Sequence, residues 1–244
     1  MADFKGADLR GTKFDECQLD GAEFRESTMS RVRIIGSVLE DVEIDSYVHR
    51  VTVNGVDVVP LVEAELDRRH PERLELRPTD AEGARAAIDV VEAMWRPTVE
   101  RVRRAPDAVA HQRVADEWSF VETLRHLVLV HDGWFVRSVL GDPSPYHPFG
   151  LTAAFLDPAD LGIDESVTPS LDEVLLVRDE QRQQLREFLA PLTDDELVRP
   201  LEPNAAQGYP PVEGRSALDC LRVLLDEEWA HHQFAVRDLG ALEA

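Results

Sequence analysis

The chain has 244 residues, with 48 Asp and Glu against 26 Lys and Arg for a formal net charge of −22, which repels phosphate backbones and anionic bilayers and excludes nucleic-acid binding through a basic face. The length suits one main domain and a small extra module. Cys17 and Cys220, one in each half, exclude a disulfide framework and a cysteine zinc knuckle, and without a leader-like amino terminus or a bilayer-length apolar run the expectation is a cytoplasmic protein that does not enter membranes.

From residue 2 the sequence repeats every five positions, a period that neither a helix nor a strand has. Its large apolar members are Phe4, Leu9, Phe14, Leu19, Phe24, Met29, Ile34, Leu39 and Ile44. Two residues before them stand the small or compact Ala2, Ala7, Thr12, Cys17, Ala22, Ser27, Val32, Ser37 and Val42. Both sets are expected to point into a narrow coil. The pattern over residues 2–46 resembles the pentapeptide repeat family, which implies a right-handed, quadrilateral β-helix of about two coils at four units per coil. Relatives of that fold that mimic DNA are compatible with the acidic composition, but so short a rod suits a capping or scaffolding role.

Residues 47–78 read as a junction. The β-branched alternation of 51–59 around Asn54-Gly55 predicts a hairpin, and residues 60–71 predict a brief helix stopped by Pro71. Four long helical segments follow in residues 79–244. Thr79 with Glu82 caps the first, about 80–104, with Pro97 as a candidate bend; Ser119 with Glu122 caps the second, which runs to Leu140 before the Gly141 break. After a long Pro-, Gly- and Asp-rich connection, Ser170 with Glu173 opens the third. Thr193 with Glu196 caps a minor helix at 194–198, and Ser216 with Asp219 opens the fourth, which is expected to end at Gly240. Each helix carries one apolar stripe that needs the others to cover it, so the fold class is mainly α, a four-helix bundle with crossover connections.

The chemistry concentrates in two places, His126 in the second helix and the run Glu227-Glu228-Trp229-Ala230-His231-His232 in the fourth. Residues four apart share a helix face, so Glu228 with His232 can hold one ion, and His126 can supply a third ligand. Glu227 and His231 are an equally spaced pair. The Glu228 pair is preferred because its face continues toward Leu221, Leu225 and Trp229. Two nitrogens and a carboxylate leave an open coordination position, the mark of a reactive rather than a closed site. A helix-surface pair and a hydrogen-bonded interior histidine are the plain alternatives. His49, His70, His111 and His147 lie in junctions or loops, and His131, five positions past His126, is expected to face solvent.

The segments 118–128 and 228–239 resemble the two signature helices of the DinB-like superfamily, across residues 80–240. The resemblance implies a four-helix bundle, often dimeric, that binds a divalent ion through a histidine of the second helix and an H-x-x-x-H pair in the fourth. Carried over, His126 matches the first histidine, His232 the last, and Glu228 stands where the remaining histidine would be. The implied metal is zinc, with nickel, iron or manganese as alternatives. A buried carboxylate there needs compensation from Arg125, Arg137, Arg237 or a proton. Relatives that use low-molecular-weight thiols imply a small thiol and a small electrophile as partners, in an S-transferase or isomerase reaction; the alternative is a stress-associated or scaffold protein with a vestigial site. Trp134, Tyr146 and Tyr209 are candidates to line the opening or to anchor its loops. Neither cysteine is needed as a nucleophile. The chain has no phosphate-binding glycine loop, no G-x-S-x-G elbow and no H-E-x-x-H pair.

Overall fold

A computed structural model of the protein describes residues 4–25, 27–206, 208–211 and 214–243; Ala2, expected in the repeat, lies outside them. The chain forms two compact units, Met1–Glu43 and Ile44–Ala244.

In the first unit a residue with left-handed backbone recurs every five positions. Gly6, Gly11, Glu16, Gly21, Arg31, Gly36 and Asp41 have φ between 51° and 77°. Where the turn closes, the amide of Ala7, Thr12 or Ala22 donates to the carbonyl of Phe4, Leu9 or Leu19 at 3.0–3.2 Å. The left-handed residue is then the third of a four-residue turn, the place that favours glycine. The described residues of this unit contain no strand, so the expected β-helix is not formed and what recurs is a series of tight turns. The inward packing also fails: the large apolar residues from Phe4 to Ile44 are 41–67 % exposed. An inward side chain in a coil is covered by the coils above and below it, and about two coils cannot supply both.

The second unit opens with the hairpin. Strands β1 (Thr52–Val53) and β2 (Val56–Asp57) pair antiparallel around Asn54 and Gly55, both with positive φ as a tight two-residue hairpin turn demands. Helices α1 (Val59–Arg69) and α2 (Glu72–Glu75) follow. Arg73 and Arg77 each bridge Glu63 and Asp67 at 2.6–2.9 Å, and the Arg73 guanidinium lies 4.6 Å from the Trp229 ring centroid, tying α1 and α2 to the last helix.

The bundle consists of α3 (Ala81–Arg104), α4 (Phe120–His131), α6 (Leu171–Leu189) and α8 (Ala217–Glu243), with the short α5 (Pro158–Leu161) and α7 (Asp194–Leu197) in its connections. Its main contacts pair α3 with α8 and α6, and α4 with α6 and α8. Consecutive helices α3 and α4 are therefore diagonal, as are α6 and α8, which is the crossover topology. The reciprocal caps at Ser119, Ser170 and Thr193 form as expected, and Ser216 exchanges the same bonds with Asp219. At α3 the cap is Asp80 rather than Thr79: its carboxylate accepts the Gly83 amide at 2.7 Å, a shorter reach that also leaves the Ala81 amide to Asp194. Pro97 is accommodated inside a continuous α3.

The second helix departs from its expected course. After His131 the chain widens into a π-helical turn, Asp132–Arg137. Gly133 sits there because a Cβ would lie 3.0 Å from the Tyr209 carbonyl oxygen and 3.2 Å from Pro210 Cδ, so the loop before α8 can press against the turn only where no side chain intervenes. Asp132 points inward, accepting from Gln181 Nε2 and the His147 amide, both at 2.8 Å. Burial pushes its carboxyl up from 3.8 to about 7, against the two hydrogen bonds. The folded state therefore holds this proton more tightly than the unfolded chain, so its contribution is complete below about pH 4 and lost as pH rises through 7, worth about 4 kcal/mol in total. Denaturation of wild type and Asp132→Asn between pH 5 and 8 checks this. The variant is expected to lack that decline, and parallel pH profiles would refute it.

Candidate metal centre

The site lies on the seam where α4 meets α8. His126 projects from α4, and Glu227 and His231, one turn apart on α8, project toward it. One donor atom from each of the three falls within 4.8 Å of the others. His231 Nε2 is 3.1 Å from Glu227 Oε2, hydrogen-bond distance, and His126 Nε2 is 3.8 Å from the same oxygen. The imidazole rings are 4.8 Å apart. Trp118, just before the α4 cap, packs on both, 4.7 Å from His126 and 5.9 Å from His231.

The protonation states favour ligation. His126 Nδ1 is 3.1 Å from the Leu151 carbonyl oxygen. A carbonyl only accepts, so Nδ1 donates to it and Nε2 is left facing Glu227, the orientation that metal-binding histidines need. Burial lowers the His231 pKa, with Glu227 pulling the other way. Burial also works to raise the Glu227 carboxyl, but the two imidazoles outweigh it and hold it at about 2. The donor set, two imidazole nitrogens and an anionic oxygen, fits a divalent ion of the zinc type with a coordination position left over.

The preferred pair, Glu228 and His232, is not brought to His126. Successive residues on a helix are rotated by about 100°, and these two point to the bundle interior. Both oxygens of Glu228 are bound by Arg178 Nη2 from α6, at 2.6 and 2.8 Å, with both residues buried. His232 Nε2 is 2.9 Å from Thr98 Oγ1 of α3, and its ring packs 4.9 Å from Trp95. Glu228 and His232 face the bundle core, and the residues that face the α4 seam stand one position earlier in the chain. The signal for the observed pair was its identical spacing.

The other expectations sort similarly. The arginine that compensates Glu228 is Arg178, whereas Arg125 and Arg137 donate to backbone carbonyls of loops and Arg237 pairs with Asp238 and Asp45. His131 is buried, not solvent-facing: it packs on Phe135, and burial drives its pKa down to about 3. Nearly all of α4 is enclosed, which an apolar stripe alone does not convey. Tyr146 anchors a loop, its hydroxyl donating to the Tyr209 carbonyl and accepting the Tyr209 amide. Trp134 packs against Tyr209 and under the Arg215 guanidinium. The Tyr209 phenol is pushed up by burial and then by the charge of Glu227, which places it within electrostatic reach of the site. Cys220 is buried and its thiol pushed up to about 11 by that burial; Cys17 is exposed in the repeat unit.

A four-helix bundle of crossover topology with a two-histidine, one-carboxylate cluster on one seam defines the class. The chain belongs to the DinB superfamily, which residues 90–235, more than half of it, match. Residues 2–41 match the pentapeptide repeats in 8 copies. No curated protein and no solved structure matches the chain. Among the described residues no helix is long and apolar enough to cross a membrane.

Proposed function

We propose that the protein binds a divalent ion, zinc in the first instance, through His126, Glu227 and His231, and that it transfers or isomerises small electrophiles with the help of a low-molecular-weight thiol. The observation that carries the reading is the His126 ring, bonded to the Leu151 carbonyl with Nε2 turned to Glu227 and His231, the donors that cluster with it among the described residues. A divalent ion bound there would supply Lewis acidity, lowering the pKa of a thiol at the open position. The chain's own groups would do the rest: the His126 and His231 rings and the ionised Glu227 would hold the ion, and Trp118 covers one side of the site. In transfer the thiol would release its proton to solvent, a sulfur–carbon bond would form and the leaving group would depart with the electron pair of its bond to carbon. In isomerisation the same bond forms across an activated double bond and breaks again after rotation.

The test is turnover of a model electrophile, chlorodinitrobenzene for transfer or a cis-enone for isomerisation, by zinc-loaded full-length protein with a panel of thiols. Thiol-dependent turnover that falls at least about 100-fold in His231→Ala is expected; thiol-independent or absent turnover across the panel would contradict the enzymatic part. One observation favours a scaffold reading instead, the row of large apolar residues left 41–67 % exposed in the repeat unit. On that reading the ion binds without turnover.

A further inference from the structure

We propose that Arg125 is a positioning residue for His126, acting through the strap of residues 147–152. The strap crosses α4 and is fastened along its length. At its start the His147 amide donates to Asp132 Oδ2 at 2.8 Å. In the middle Arg125 Nε donates to the Phe149 carbonyl at 3.0 Å and Nη2 to the Gly150 carbonyl at 3.4 Å. At its end the Thr152 amide donates to Glu165 Oε1 at 2.9 Å, and the Thr152 hydroxyl donates to the same oxygen. The next carbonyl after the two that Arg125 grips belongs to Leu151, and it is the one that takes the His126 Nδ1 proton.

Arg125 is 4 % exposed and its hydrogen bonds go to carbonyls; among the described residues no carboxylate is in ion-pair contact with it, and Glu122 and Glu165 reach it only through longer-range charge. Burying a guanidinium without an anionic partner in contact is costly, and an apolar side chain would fill the same volume more cheaply. What the guanidinium adds is geometry. Its planar fork fixes two successive carbonyls and so the direction of the third. Gly150 allows the close fit: a Cβ there would meet Ile163 Cδ1 at 3.1 Å and the His147 carbonyl oxygen at 3.2 Å. If the Leu151 carbonyl turned away, the His126 ring would be free to protonate at Nε2, the nitrogen that faces Glu227. The inference uses the ligand assignment for its affinity readout, but the tautomer is a property of the metal-free protein.

The experiment is two-bond proton–nitrogen correlation NMR on metal-free, histidine-labelled full-length protein, alongside zinc titration. In wild type the His126 ring is expected as the Nδ1–H form. In Arg125→Met the Nε2–H form is expected to appear and zinc affinity to fall about 10–100-fold, with Arg125→Lys between the two. An Nδ1–H ring with unchanged affinity in Arg125→Met would overturn the proposal, as would an Nε2–H ring in wild type. If Arg125→Met does not fold, Gly150→Ala displaces the same carbonyls with the guanidinium in place and is read in the same two ways. Zinc binding absent from wild type would refute the ligand assignment alone, because the NMR result still decides the role of Arg125.

Discussion

Replacing Glu228 with alanine is expected to destabilise the bundle by about 3–5 kcal/mol, a large share of the stability of a domain this size. The reason is what remains. Arg178 is 3 % exposed, receives Glu228 on one nitrogen, and has no partner for its Nε. Without Glu228 its charge stays buried beside Trp95 with nothing to balance it. Removing both charges is a different matter: a well-packed apolar pair such as Arg178→Met with Glu228→Leu is expected to recover most of the loss, because desolvation offsets much of an ion pair's attraction. Urea denaturation of the single and double variants measures this. A Glu228→Ala variant within 1 kcal/mol of wild type would show that the pair is not closed in solution.

The second large effect is on ligand-linked stability. Zinc at about 100 times its dissociation constant is expected to stabilise wild type by about 2.7 kcal/mol. His126→Ala and His231→Ala each remove one of three donors and are expected to abolish that gain. His232→Ala is expected to lower stability with or without zinc but to keep the zinc-dependent increment, since His232 bonds Thr98 and not the ion. Thermal denaturation with zinc and with chelator separates the two. An increment lost in His232→Ala and kept in His231→Ala would restore the pair that the sequence favoured.

How far the sequence reaches is clear from where these residues lie. Local chemistry was legible: Ser119 with Glu122, Ser170 with Glu173 and Thr193 with Glu196 marked helix starts because a cap is settled within four residues. The diagonal order of the helices followed only in outline, from two long connections. Rotation about a helix was harder to read. Glu227 and Glu228 are neighbours in sequence with the same four-residue partner spacing, yet one meets α4 and the other α6, a choice made by how α8 is turned in the bundle. The π-helical turn after His131 escaped because no local residue pattern marks it, and the Tyr209–Pro210 segment that packs on its Gly133 lies far along the chain. In the repeat unit the five-residue period predicted the turns but not the exposure, since burial depends on how many coils stack.

The most direct measurement is the anomalous-difference map of a zinc-soaked crystal at the zinc edge, with metal content per chain from elemental mass spectrometry. The account predicts one ion per chain, about 2.0–2.2 Å from His126 Nε2, His231 Nε2 and a Glu227 oxygen, with Glu228 still on Arg178. An ion bound to Glu228 and His232, or no ion on the α4–α8 seam, would contradict it.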